Sequence, residues 1–247
     1  MTQLTCGSLF AGIGGFDLGF ERAGIKTIWQ VEINEYCRKV LARHFPDAER
    51  FGDIRECGAH NLKPVDIICG GFPCQDISGA GLQAGIDGER SGLWAEMRRI
   101  ICELRPRFVL VENVAALLNR GMGRVLGDMA YIRYDAEWDC APASAFGSPC
   151  ARQRIFILAY PNSEHRKNRI YAGREFDKAW RETRLGQFGG MACPESWREA
   201  VSVHVRRDDG IPNRMERLTA LGNAVVPQIT EWIGRRIVEA SNQRNSL

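Results

Sequence analysis

Over the first 160 residues, apolar positions fall into short continuous runs that alternate with helically spaced stripes. Leu4 to Phe10 is a short apolar run that gives way to Ala11-Gly12-Ile13-Gly14-Gly15, and Phe16 to Gly24 reads as a helix closed by glycine. Thr27 to Val31 predicts a second strand closed by Glu32, and Asn34 can cap a helix running to His44. Phe51 to Ile54 is expected to be a short connection, followed by a strand from Val65 to Cys69. Leu93 to Leu104 has helical spacing. Phe108 to Val111 is continuously apolar, as a strand buried on both faces must be, and Glu112-Asn113-Val114 comes at its end. Helix is expected from about Ala115 to about Ile132, with a break near Gly121. Tyr134 to Cys140 and Arg154 to Ala159 predict two further strands, antiparallel at the sheet edge. The pattern is that of an α/β fold.

Beyond Pro161 the character changes. Residues up to Pro212 are polar, arginine-rich and poorly periodic, with Tyr171, Phe176, Trp180, Phe188 and Trp197 interspersed. Gln228 to Ala240 then reads as an amphipathic helix with arginines on its outer face.

A chain of 247 residues can bury a sizeable core without covalent staples. Its nine cysteines are odd in number and lack a Cys-x-x-Cys pair, so neither a disulfide framework nor a structural zinc site is expected. Met1 to Thr5 has no basic leader, and no apolar run approaches the roughly 20 residues that span a bilayer. A cytoplasmic protein with no membrane and no metal partner is therefore expected. The net charge of +3 is small, but arginines crowd between Arg152 and Arg217, a distribution suited to a polyanion.

Five features carry candidate chemistry. Gly12 and Gly14 lie in a turn between strand and helix, either a tight turn or a place where backbone amides approach a ligand. Glu32 follows about 20 residues later, either a solvated carboxylate or an acceptor for ribose hydroxyls. Gly70-Gly71-Phe72-Pro73-Cys74-Gln75 leaves the end of a buried strand with Cys74 in a loop of restricted path, where a cysteine is either a buried filler or a nucleophile. Glu112 ends another buried strand and is either salt-bridged to an arginine or able to exchange a proton near neutral pH. Arg152 and Arg154, two apart, share one face of a strand. In an ordered α/β sheet the carboxyl ends of parallel strands form one rim, so Cys74, Glu112, Glu32 and the glycine turn are expected on the same side.

In order and approximate spacing, Phe10-Ala11-Gly12-Ile13-Gly14-Gly15, Glu32, Gly71-Phe72-Pro73-Cys74-Gln75, Glu112-Asn113-Val114, Arg152-x-Arg154 and Gly222-Asn223-Ala224-Val225-Val226-Pro227 resemble the DNA cytosine-5 methyltransferase family, in its compact phage and prophage form. The resemblance covers roughly the first 160 residues and the last 35. It implies a Rossmann-like S-adenosylmethionine-dependent methyltransferase sheet formed by residues 1–160 and completed by 213–247, with 161–212 as a short target-recognition insert. It further implies Cys74 as nucleophile on carbon 6 of a flipped cytosine, Glu112 on ring nitrogen 3, Arg154 on the exocyclic oxygen, and Arg152 supporting the catalytic loop and target phosphates. The implied cofactor pocket comprises Phe10, Gly12, Gly14, Glu32, Ile33, Asp53, Ile54, Leu93 and Asn223. Double-stranded DNA is the implied partner of a monomer, with tRNA the alternative substrate. Cys150 stands where the family usually has Gln. Residues 75–90 are expected to form a mobile arm that closes over DNA.

Overall fold

The computed structural model describes residues 3–73, 92–143, 153–162 and 214–244. Seven strands form one sheet: β1 (Thr5–Leu9), β2 (Lys26–Val31), β3 (Glu49–Phe51), β4 (Ile67–Gly70), β5 (Phe108–Val114), β6 (Tyr134–Pro142) and β7 (Gln153–Pro161). Their order across the sheet is β3-β2-β1-β4-β5-β7-β6. The first five strands pair in parallel, while β7 runs antiparallel between β5 and β6. The helices are α1 (Gly15–Arg22), α2 (Glu35–His44), α3 (Leu93–Leu104), α4 (Leu117–Arg120), α5 (Met122–Tyr131), α6 (Arg214–Asn223) and α7 (Pro227–Arg244).

The central strands carry side chains that are apolar on both faces because helices cover both faces. On one side, Trp94, Met97, Ile100 and Ile101 of α3 and Val125 and Met129 of α5 pack onto Val109, Val111, Ile155 and Ile157. On the other, Phe16 and Phe20 of α1 meet Ile229, Ile233 and Ile237 of α7 over Cys6, Ile67, Cys69 and Leu110. The three isoleucines recur every fourth residue, so one stripe of α7 is buried, at about 2 kcal/mol for each side chain. Close approach of the two helices depends on Gly19. A Cβ there would meet the Thr230 hydroxyl and stand 2.5 Å from the Pro227 carbonyl oxygen. Thr230 Oγ1 also donates to the Gly15 carbonyl at 3.2 Å, which ties the late helix to the start of α1.

Two local expectations are corrected. Of the connection expected from Phe51 to Ile54, Phe51 instead ends an edge strand, because Glu49, Arg50 and Phe51 pair with Trp29, Gln30 and Val31. Glu112 and Asn113 lie inside β5 rather than after it, held by pairing with Phe156 and Ile155 of β7. Residues 214–223 are helical, so Gly222 and Asn223 terminate α6. Asn34 caps α2 as expected, its side chain accepting the Cys37 amide at 3.0 Å. The last helix packs beside the first.

Candidate active site

A single register row crosses the sheet through Phe51, Val31, Leu9, Gly70, Val111, Ile157 and Trp138. One residue further along the parallel strands stand Glu32, Phe10, Gly71 and Glu112. The glycine turn, Glu32, Glu112 and the start of the Cys74 loop therefore stand at the same level. Cys74 and Arg152 themselves lie outside the described residues.

The glycine turn is built for close approach. Gly12 and Gly14 have φ of +56° and +88°, and Phe10, with a full side chain, has φ of +53°. An L-residue in the left-handed region costs about 1–2 kcal/mol, so Phe10 stores strain at the mouth of the site. Among the described residues nothing lies within 4 Å of where a Gly12 Cβ would stand, whereas a Gly14 Cβ would be 2.6 Å from the Phe45 ring. Gly12 thus faces open space and Gly14 faces the core.

Glu32 spans the gap between β1 and β2. Its Oε2 accepts the Gly12 amide at 2.8 Å and its Oε1 the Asn34 amide at 2.8 Å. Each oxygen keeps acceptor capacity for a further donor such as a sugar hydroxyl. Beside it Ile33 exposes 66% of its apolar surface. Leu93 is half-buried at the start of α3, and Ile54 turns its side chain into the core. Asp53 caps the short turn Ile54–Glu56 and takes a two-pronged contact from Arg55, with Nη2 to Oδ2 at 2.6 Å. Hydrogen bonds from the Arg55 side chain and amide hold this carboxyl below its ordinary value. Asn223 is exposed at the end of α6; two residues on, the Val225 carbonyl oxygen stands 2.5 Å from where a Gly15 Cβ would be. An open glycine backbone, a carboxylate with acceptor capacity to spare and an exposed apolar side chain suit the ribose hydroxyls and base of an adenosine-type group.

At the other end of the rim Glu112 is buried, and its Oε1 lies 2.8 Å from Arg154 Nε. This is a close charge contact between diagonal neighbours on β5 and β7 rather than an in-line hydrogen bond. Gly71 packs onto the same carboxyl, and a Cβ there would stand 2.7 Å from Glu112 Oε2. Asn113 reaches across to the same loop, its Nδ2 donating to the Phe72 carbonyl at 3.1 Å. The row therefore gathers Phe10, Gly12, Gly14, Glu32 and Glu112 on one rim, with Arg154 joining from β7.

Two features escape sequence reasoning. Asn113 carries no spacing signal that separates it from an ordinary strand polar residue. Asp17 is fully buried under the start of α1, where it accepts Gln30 Nε2 at 2.9 Å and Ser8 Oγ at 3.2 Å. Burial pushes its carboxyl above the ordinary value, against the opposing hydrogen bonds from Gln30 and Ser8. Its position in the apolar phase of α1, next to Phe16 and Phe20, is the one signal that could have exposed it.

Comparison with known proteins follows the same outline. The family model described as C-5 cytosine-specific DNA methylase matches residues 4–189. The chain is 34% identical over 173 residues to Type II methyltransferase M.DsaV of Dactylococcopsis salina, covering 68% of this chain and 49% of that protein. It is 38% identical over 157 residues to Type II methyltransferase M1.ScrFI of Lactococcus lactis subsp. cremoris, covering 62% and 40% respectively. The chain thus spans about half the length, or less, of these curated relatives. Among solved structures, a DNA modification methyltransferase encoded within an E. coli prophage superposes with a TM-score of 0.56 at 28% identity, over 66% of this chain and 48% of that one.

Proposed function

We propose that this chain, which belongs to the C-5 cytosine-specific DNA methylase family, transfers a methyl group from S-adenosylmethionine to carbon 5 of cytosine in double-stranded DNA. The observation that carries the reading is the shared rim: Glu112 and the root of the Cys74 loop stand one residue past the same register row as Glu32 and the glycine turn. A pyrimidine and an adenosine-type cofactor could both be addressed from there.

Bound S-adenosylmethionine supplies an electrophilic methyl group on a positively charged sulfur. Around it, Glu32 accepts from the ribose hydroxyls, the open backbone of Gly12 lets the ligand approach, and Phe10 and Gly14 shape the turn. Ile33, Asp53, Ile54 and Leu93 line the adenine and sulfonium side, and Asn223 closes the pocket from α6. Asp53 serves here while held by Arg55, and Ile54 serves through its backbone, since its side chain is in the core.

On the substrate side carbon 5 of cytosine is a poor nucleophile. The Cys74 thiolate adds to carbon 6, forming a C–S bond and pushing the electron pair toward carbon 5. Glu112 holds and protonates ring nitrogen 3, which draws charge from the ring as the thiolate adds. Arg154, 2.8 Å from Glu112, fixes that carboxyl and directs its remaining donors at the exocyclic oxygen. Arg152 supports the loop and the target phosphates. The carbon 5 electron pair takes the methyl group, a base then accepts the carbon 5 proton, and rupture of the C–S bond returns Cys74 to its thiolate. Because carbon 6 is inaccessible in a stacked duplex, the cytosine is flipped out of the helix. The units 1–160 and 213–247 form the catalytic part, and 161–212 reads the target.

The test is covalent trapping on duplex DNA containing 5-fluorocytosine in the presence of S-adenosylmethionine. Wild type forms an adduct and Cys74→Ala does not. An adduct on RNA alone moves the substrate to RNA, and none on either, over a library of sequences, removes the reaction.

A further inference from the structure

Two segments of the proposed cofactor pocket leave the sheet side by side where β2 and β3 end, at Val31 and Phe51. The Glu32 amide still donates to the Phe51 carbonyl at 3.0 Å. Beyond that bond Glu32 and Ile33 follow one path, and Gly52 and Asp53 the other. Arg38 of α2 occupies the fork between them. Its Nη1 donates to the Glu32 carbonyl at 2.9 Å and to the Ile33 carbonyl at 2.7 Å, and a Cβ on Gly52 would stand 3.7 Å from the same nitrogen.

Helix geometry accounts for the reach. Arg38 is the fourth residue of α2, and helical side chains lean toward the N-terminus, so the guanidinium passes back over the Asn34 cap to carbonyls that precede the helix. A cation this close to a helix N-terminus works against the helix dipole, so stabilising α2 does not explain its place. The two hydrogens of Nη1 instead serve two successive carbonyls, which fixes the orientation of the peptide groups on both sides of Ile33. Held in this way, Ile33 leaves its side chain exposed beside the pocket, and Glu32 keeps its carboxylate on the Gly12 and Asn34 amides.

We propose that Arg38 is a positioning residue for the cofactor: by clasping the Glu32–Ile33 segment beside Gly52 and Asp53, it sets the spacing of the adenosine side of the pocket. The inference rests on the assignment of these segments to S-adenosylmethionine made above. Arg38 acts through backbone carbonyls rather than through the ligand, so its effect falls on cofactor affinity and not on the methyl-transfer step.

The test compares Arg38→Met, which keeps an unbranched stem and loses the donors, with Arg38→Lys, which keeps a charged donor, each in the full chain and at a temperature where wild type and both variants are folded. In calorimetric titration Arg38→Met is expected to raise Kd about tenfold, by the same factor for S-adenosylmethionine and S-adenosylhomocysteine, and Arg38→Lys to recover part of that loss. In methyl transfer the loss appears in KM for S-adenosylmethionine, while kcat at saturating cofactor and KM for DNA stay near wild type. A wild-type Kd in Arg38→Met overturns the inference and leaves the cofactor assignment standing. So does an equal loss in Arg38→Met and Arg38→Lys, or a kcat that falls along with affinity, because donation to the two carbonyls is then not what matters. A tenfold loss of binding in a chain that methylates no cytosine upholds the positioning and removes the reaction alone. A wild type that binds neither ligand overturns the cofactor assignment and the inference together.

Discussion

Arg154 Nε stands 2.8 Å from Glu112 Oε1 across the β5–β7 pair, with the two side chains 22% and 9% exposed. A carboxylate this enclosed depends on its cation. Removing one partner of a buried pair costs about 3 kcal/mol, because the other charge is left uncompensated. Arg154→Leu is expected to destabilise by about that amount in urea unfolding. Glu112→Gln costs less, about 1 kcal/mol, since the charge it leaves unpaired, on Arg154, is the more exposed of the two. The double variant loses less than the two singles together. In Glu112→Gln, methyl transfer drops by at least about 10²-fold while S-adenosylmethionine binding measured by calorimetry is retained, as loss of proton transfer predicts.

Gly71→Ala tests how tightly the loop root lies on that carboxyl. The added Cβ would stand 2.7 Å from Glu112 Oε2 and 3.4 Å from the Glu112 carbonyl oxygen, so the loop or the carboxyl must shift. An overpacking cost of about 1–3 kcal/mol is expected. The rate of adduct formation falls further than stability does. A variant with wild-type adduct rate would show that Gly71 is dispensable to the site.

Two glycines of the same region should separate binding from folding. Gly12 has φ of +56° and open space around it, so Gly12→Ala costs about 1–2 kcal/mol of backbone strain and also blocks ligand approach. Gly19→Ala drives a methyl into Thr230 and the Pro227 carbonyl, and costs about 3 kcal/mol through the α1–α7 contact. Calorimetric titration of S-adenosylmethionine is expected to be weakened in Gly12→Ala and preserved in Gly19→Ala at temperatures where both are folded. Equal losses of affinity would contradict the assignment of Gly12 to the cofactor.

Asp17 gives a pH signature of defined sign. Burial raises its carboxyl above the ordinary 3.8, so the folded chain keeps a proton that the unfolded chain has already released. Its contribution to stability is therefore full below the ordinary value and is lost as pH rises through the raised one. Asp17→Asn has no such proton to lose. Urea midpoints of wild type and variant, compared from acid to neutral pH, should drift in the variant's favour as pH rises. The opposite behaviour of Asp53, held down by Arg55, is common to both proteins and cancels in the difference. A gap that does not change with pH would mean that the Asp17 carboxyl binds its proton equally in the folded and unfolded chain, and so is not raised by burial.

Much of the local architecture was legible because it is dictated locally. The run from Phe108 to Val111 must be buried on both faces, Leu93–Leu104 repeats at helical spacing, and Asn34 has the side chain an N-cap needs. The edge strand at Glu49–Phe51 was missed because its three residues carry no alternation long enough to read, and only pairing with β2 defines it. Glu112 and Asn113 read as a strand end because they are polar, yet β7 supplies partners that extend the strand over them. Helix α6 ends in Gly222 and Asn223, residues that by themselves carry no helical signal.

Sequence by itself determined which chemistry-bearing residues exist, their order, and the strands and helices that carry them, since spacing and side-chain type are properties of the chain. Only the tertiary structure decided their mutual distances. The register row from Phe51 to Trp138 levels the strand ends, the missing Cβ of Gly71 lets the loop rest on Glu112, and the Asn113 amide reaches Phe72 where the ladder stops. These relations join residues that are 20 to 215 positions apart, as in Gly12 with Glu32 or Gly15 with Thr230. Hydrogen-bonded register and steric approach at such separations are fixed by how the whole sheet pairs and packs, and no local pattern encodes them.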